Sequence, residues 1–454
     1  MEQNARSKML GTMKMSRLIP KVSVPIMISL LVQAMYNIID SIFVAQYDSK
    51  ALTAVSLAYP IQMLMIAVST GLGTGINSLV SRKLGERKNN EALICAGNGV
   101  ALEFVSFIIF LVFGLFFATP TFNLLTKDST LRNLGGTYLG IVCTFSVGLF
   151  LSIAFERLMQ CTGNTVLSMI TQLTGAITNI ILDPIMIFGY FGFPEMGVTG
   201  AAYATVIGQC AGMTLGFFLN QKKNKELKLS LRSLRIHWNI VKNILTVGIP
   251  SIIMQSISTV MNLALNAILI TFGETTVSVL GVYFKLQSFV FMPVFGLSNG
   301  LIPIIGYNYG AKNRERVYSA IKTALIWALS IMAVGMVIFM AFPELLLSMF
   351  ESGKAGEITK IGKIALRIIC INFIPAGIGI TLSTVFQAIG KGVYSMIMSL
   401  CRQLVILVPS AWFLARVGGL NAVWWSFVIA ECVSLVISLL MYRNVNRRVF
   451  KWMQ

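Results

Sequence analysis

Hydrophobic positions along this chain fall into long uninterrupted runs, and the polar positions gather in short stretches between them. The runs cover about residues 18–44, 54–81, 92–118, 133–161, 164–190, 199–221, 239–270, 277–307, 316–342, 360–389, 393–416 and 420–443. Each reaches or exceeds the roughly 20 residues that carry a helix across a bilayer core, and the surplus allows tilt. An open sheet cannot satisfy its backbone in lipid. The pattern therefore predicts an all-α polytopic membrane protein of twelve transmembrane helices. The run after Lys21 is long and lacks a small-residue cleavage site, so it reads as the first span and not as a leader.

Composition narrows the class. The chain has 454 residues, 56% apolar and only 12% charged, against roughly 45–50% and about 25% in soluble domains. So little charge cannot cover a water-facing surface, which excludes a soluble enzyme, a secreted disulfide scaffold and a disordered chain. The seven cysteines sit in the apolar runs with no CxxC pair and read as packing residues. The single histidine, His237, excludes histidine clusters and triads.

Charge then sets orientation. Lys plus Arg number 36 against 17 acids, a net charge of +19. The excess lies at the amino terminus (Arg6, Lys8, Lys14, Arg17, Lys21), in the loop Arg82–Lys88, in a central loop that includes Lys222, Arg232 and Lys242, at Lys312–Arg316, and in the tail. The alternate loops, around Asp48, Glu195, Glu274 and Glu351, are poor in positive charge or balance it. By the positive-inside rule both termini and the central loop face the cytoplasm. The basic balance is thus a topology signal, and no nucleic-acid partner is expected.

The chain also repeats itself. PIMISLLVQAMYNIID from Pro25 pairs with PSIIMQSISTVMNLAL from Pro250, and GLGTGINSLVSRKLGERKN from Gly71 with GLSNGLIPIIGYNYGAKNR from Gly296. The offsets agree, since 250 − 25 = 225 and 296 − 71 = 225; further on, Gln160 matches Gln387 at 387 − 160 = 227. Six spans per half is an even number, so the halves share one orientation about an axis along the membrane normal. We divide the chain into an amino-terminal lobe (1–221), a basic linker (222–238) and a carboxy-terminal lobe (239–454).

Ionisable groups within spans are costly and mark function by default. Gln33, Asn37 and Asp40 share a face of span one at spacings of four and three, and Asn179 and Asp183 share a face of span five. With Thr205 of span six, both acids reach one depth in the outer half of the membrane. Two carboxyls, amides and a hydroxyl can exchange a proton or hold a sodium ion, which prefers oxygen ligands. The alternative is hydrogen bonding between helices only. The repeat argues against it: Asp40 corresponds to Leu265, and Asn179 and Asp183 to Ile406 and Ser410, so the acids occur in one half alone. Lys285, Arg402 and Glu431 of the second half are read equally as a buried pair with a snorkelling lysine or as a substrate or gating group. Glu156 and Arg157 are expected to form a local pair or an interface contact, Glu103 has no evident partner, and Pro25 marks a kink or hinge in span one. A Walker motif, a TVGYG-like filter and an arginine ladder are all absent, which leaves transport driven by an ion gradient.

Together, the Pro25–Gln33–Asp40 pattern, NIILDP at 179–184, GAAYAT at 200–205, YNYGAKN at 307–313 and the two six-span halves resemble the MATE (multidrug and toxic compound extrusion) family. Its prokaryotic DinF/MepA-like branch is the nearest in style. The resemblance implies a V-shaped pair of lobes in a prokaryotic cell membrane. It implies a non-enzymatic antiporter, without a cofactor, that exchanges amphipathic or cationic small molecules for H⁺ or Na⁺, and a monomer is expected. Carried over residue by residue, the cation site is Asp40, Asn179, Asp183 and Thr205. Met27, Gln33, Tyr36, Asn37, Gln62, Asn262, Lys285 and Gln287 are assigned to the cleft. Where one branch of the family places acids in the carboxy-terminal lobe, span eight here offers Lys285. A lipid-linked precursor flippase of the same superfamily and a membrane scaffold are the alternatives.

Overall fold

The computed structural model describes residues 5–230, 233–350 and 356–453; Arg232 and Glu351 lie outside the described residues. Every element among the described residues is helical. A short α1 (Ala5–Thr12) precedes the first six spans. These are α2 (Met15–Tyr47), α3 (Ser49–Gly85), α4 (Asn89–Phe116), the pair α6 (Ser129–Thr144) and α7 (Val147–Cys161), α8 (Thr165–Phe188) and α9 (Gly197–Lys223), with a small α5 (Ala118–Leu125) between α4 and α6. The second set is α10 (Trp238–Leu269), α11 (Glu274–Gly310), α12 (Arg314–Ala341), a small α13 (Pro343–Ser348), α14 (Glu357–Ile369) running on through a 3-10 turn into α15 (Phe373–Ala388), α16 (Gly392–Leu400) running into α17 (Val408–Val417), and α18 (Gly419–Val423) followed by α19 (Trp425–Arg448).

Eleven of these spans are long and apolar enough to cross a bilayer, and the twelfth is α6 plus α7, bent by 43°. The bend falls at Phe145–Ser146, where the Ser146 hydroxyl donates to the Cys143 carbonyl and diverts it from the helical ladder. Between α16 and α17, residues Cys401–Leu407 wind as a π-helix, which rotates Arg402 and Gln403 relative to an ordinary helix. The helix α2 continues without a break through Pro25, which is buried. Proline there removes one backbone hydrogen bond without ending the helix.

The halves meet near the end that carries the termini. Gly71 of α3 lies against α10, where a Cβ would stand 2.9 Å from the Ile252 amide nitrogen and 3.1 Å from the Gly248 carbonyl. Likewise, Met27 of α2 packs on Gly296 of α11 and Ser23 on Gly300. The Ser78 hydroxyl donates to the Gln387 carbonyl at 2.6 Å and Thr70 Oγ1 to Gln255 Oε1 at 2.9 Å. At the same end α1 is clamped. Arg316 donates to the carbonyls of Met13 (2.8 Å) and Leu10 (3.2 Å), and the Ser7 amide donates to Glu226 at 3.2 Å.

Candidate functional site

The amino-terminal polar cluster is built by three helices that small residues allow to approach. A Cβ on Gly208 of α9 would stand 2.7 Å from the Gly175 carbonyl and 3.0 Å from the Asn179 Cβ, so α8 and α9 touch backbone to backbone only because that position is glycine. On this seam α8 presents Asn179 and Asp183 one turn apart, and α9 presents Thr205. Tyr36 and Asp40, also one turn apart, come from α2. Asp183 is fully buried, and Asn179 and Thr205 are nearly so.

The Asn179 amide ties the cluster together. With its nitrogen turned to Asp183, it donates to Oδ2 at 2.9 Å while its oxygen accepts from the Thr205 backbone N–H at 3.0 Å; this orientation is the one that satisfies both neighbours. The carboxyl groups of Asp40 and Asp183 are close neighbours, with the Tyr36 and Thr205 hydroxyls beside them. Two carboxyls this close repel unless a proton or a cation sits between them. Asp40 Oδ1 is buried with no hydrogen-bond partner, an open oxygen in a set of oxygens. The donor set therefore fits a hard monovalent cation or a shared proton.

Behind the acids stands Tyr138 of α6, whose hydroxyl accepts from Gln62 Nε2 at 3.0 Å. Gln62 thus supports this cluster from α3, away from the cleft wall to which the sequence pattern assigned it. Tyr138 itself carries no sequence signal; a tyrosine within an apolar run looks like packing until the fold sets it beside Asp40.

Three cavities adjoin one another. The central one, about 450 Å³, lies between the halves and is lined by Gln33, Thr70 and Arg157 on one side and by Met254, Gln255 and Arg402, among others, on the opposite side. A smaller one of about 160 Å³ lies inside the amino-terminal half against Tyr36, Asn179, Thr205 and Gln209. Its counterpart of about 360 Å³ in the carboxy-terminal half holds Asn262, Gln287, Gln403 and the Arg402–Glu431 pair, joined at 3.0 Å. Gln33 lines the central and amino-terminal cavities and accepts from Gln172 Nε2 at 2.9 Å.

The family profile described as MatE matches residues 25–185 and 250–413, one block in each half. The chain belongs to the MatE family. Among curated relatives, this MatE chain is 27% identical over 428 residues to the multidrug export protein MepA of Staphylococcus haemolyticus (strain JCSC1435), covering 94% of this chain and 93% of that one. Among solved structures it matches an outward-facing conformation of a multidrug resistance MATE family transporter of the MOP superfamily. That match has a TM-score of 0.91 at 26% identity over 98% of this chain and 99% of the other. It also matches a MOP superfamily transporter from Pyrococcus furiosus Vc1, for which reverse polarity of the binding pocket suggests a different function, with a TM-score of 0.90 at 26% identity and 98% coverage of both.

Against this MatE frame several expected positions move. Asn37, expected on the Asp40 face, is exposed and lines a separate opening of about 740 Å³ together with Lys285; it stands about 60° round the helix from Asp40 and about 100° from Tyr36, and the packing of α2 sets that edge toward α11. The Lys285 ammonium lies 5.9 Å from the centre of the Phe350 ring in that opening, clear of the central cavity. Met27 seals the contact between the halves on Gly296 instead of lining a pocket. Glu156 and Arg157 do not pair. Glu156 lines the amino-terminal cavity, and Arg157 donates to Gln160 Oε1 at 2.9 Å. Glu103 is fully buried beside Ser69, with Arg157 beyond.

Proposed function

We propose that this MatE-family chain is a multidrug exporter of the cell membrane that exchanges amphipathic or cationic small molecules for H⁺ or Na⁺. The observation that carries the reading is the one-sided cluster of Asp40, Asp183, Asn179 and Thr205, which shares Tyr36 and the amino-terminal cavity with the wall of the cleft. Its repeat mate at Asp40, Leu265, is a fully buried core residue, so the carboxy-terminal half has no such cluster at the matching position. The MepA relatives and the multidrug resistance MATE structure support the substrate class.

Contacts between the halves concentrate at the terminus-bearing end, and the structural match is to an outward-facing conformation. With the basic loops in the cytoplasm, the cavity then opens to the outside. An ion entering between Asp40 and Asp183 relieves the repulsion of two buried carboxyls and lets α2 repack against α8 and α9. Because Tyr36 and Gln33 ride on the same helix, the cavity wall changes as the ion binds, which couples ion entry to drug release. The test is ethidium efflux in a transporter-deficient host. Asp40→Asn and Asp183→Asn should each abolish gradient-driven efflux with the protein still in the membrane; near-wild-type efflux by both variants would remove the cluster from the mechanism.

A further inference from the structure

The central cavity has an unexpected sign. The charged side chains on its wall are Arg157 from the amino-terminal half and Arg402 from the carboxy-terminal half; no carboxylate lines it. The rest of its polar lining consists of neutral hydroxyls and amides, such as Thr70, Ser298, Asn299 and Ser399, set among Met254, Met292 and Phe295. Neither arginine is part of the repeated framework. Arg157 corresponds to Thr384, as 384 − 157 = 227, and Arg402 to Gly175, as 402 − 175 = 227. Each half therefore contributes one guanidinium at a place where its twin has none.

Each guanidinium also keeps donors in reserve. A guanidinium carries five N–H groups. Arg157 gives one nitrogen to Gln160, its Nε is buried with no partner, and among the described residues no carboxylate oxygen lies within 4.0 Å of it. Arg402 gives one nitrogen to Glu431, and that pair sits at the boundary with the carboxy-terminal cavity. The nearby acids stay out of the central cavity: Glu156 shares the amino-terminal cavity with Arg157, Glu431 is paired with Arg402 in the carboxy-terminal one, and Glu103 is buried near Arg157. Arg157, with no carboxylate within 4.0 Å among the described residues, is the cation that an anion in the central cavity would relieve, and Arg402 stands on the opposite wall already half-satisfied by Glu431.

We propose that the central cavity binds an amphipathic anion, with its carboxylate, sulfonate or phosphate held between Arg157 and Arg402 and its apolar body against the methionines and Phe295. This rests on the transporter reading and adds anionic amphiphiles to the molecules its central cavity takes. The anion is either a soluble amphiphile or a lipid headgroup, since both present the same chemistry to a guanidinium pair.

Full-length protein in nanodiscs of phosphatidylcholine is titrated with dansylglycine, an anionic fluorophore, and separately with ethidium, a cation. The ratio of the two affinities is the readout. Arg157→Gln and Arg402→Gln should each lower the dansylglycine-to-ethidium affinity ratio by about tenfold or more, and Arg157→Lys should recover part of the loss. No dansylglycine binding by the wild type, or a ratio that neither substitution changes, would overturn the proposal. Where a glutamine variant fails to fold, Arg157→Lys and the wild-type titration still decide it. Repeating the wild type in nanodiscs containing phosphatidylglycerol identifies the source: displacement of dansylglycine assigns the site to a lipid headgroup, and undiminished binding to a soluble anion. Ethidium efflux in cells keeps the two readings apart. A wild type that exports ethidium but does not bind dansylglycine leaves the exporter standing without the anion site, whereas one that exports nothing removes the exporter reading itself.

Discussion

Asn179→Ala tests the ion site at its least obvious member. The amide joins Asp183 Oδ2 at 2.9 Å to the Thr205 backbone N–H at 3.0 Å, in a place where Asp183 is fully buried. Truncation removes both bonds. The Thr205 amide lies inside α9 and keeps its helical partner, so the cost falls mainly on the bond to the carboxyl. A hydrogen bond to a charged group contributes about 1.5–3 kcal/mol. At about 1.4 kcal/mol per decade, Asp183, having lost a donor that stabilises its charged form, should bind a proton roughly 10- to 100-fold more tightly, with the carboxyls themselves untouched. The assay is drug transport into inverted vesicles, with the concentration of H⁺ or Na⁺ giving the half-maximal rate read for wild type and variant at matched protein level. A shift to lower half-maximal H⁺ concentration with the maximal rate largely kept is the expected result, because the variant retains both acids. A half-maximal ion concentration within about twofold of the wild type would refute the reasoning, since it would mean that the buried amide neither orients Asp183 nor takes part in holding the ion.

Three further outcomes follow from the same structure. Gly71→Ala places a Cβ 2.9 Å from the Ile252 amide nitrogen; overpacking of about 1–3 kcal/mol that exists only while α3 and α10 touch should favour the conformer open at the terminus-bearing end. Spin-label distances between those helices would report it, and an unchanged distribution would count against it. Arg316→Ala removes bonds to the Leu10 and Met13 carbonyls and to Asn308 Oδ1 (3.0 Å), so hydrogen exchange across α1 should accelerate by about tenfold or more while α12 is unaffected. Asp128 caps α6 by accepting from the amides of Thr130 (2.8 Å) and Leu131 (3.4 Å), which hold its carboxyl below the usual carboxylate range. A depressed folded value means that the cap is intact above the unfolded value and is lost as pH falls through the folded one. Exchange at the start of α6 should therefore rise only on strong acidification, and Asp128→Ala should lack that transition.

The sequence by itself determined which segments are helices and how many cross the membrane, because the length of an apolar run is a one-dimensional quantity that a bilayer reads directly. It also determined that the chain is two copies of one six-span unit, since the offsets of 225 and 227 need no coordinates. Asp40, Asn179, Asp183 and Thr205 could be grouped because helical spacing and the direction of each span fix their depth; their meeting across α2, α8 and α9 then depends on the glycine seam at Gly175 and Gly208. Rotation about each helix axis is different. Whether Asn37 faces Asp40's neighbours or α11, and whether Gln62 lines a cleft or supports Tyr138, turns on a register of tens of degrees set by packing partners more than a hundred residues away. Only the tertiary structure decided those positions. It alone separated Glu156 from Arg157 and set Arg157 and Arg402, one from each half, on the wall of a single cavity. Sequence spacing carries no information about two residues that far apart; their shared cavity exists only once two lobes have closed on each other at one end.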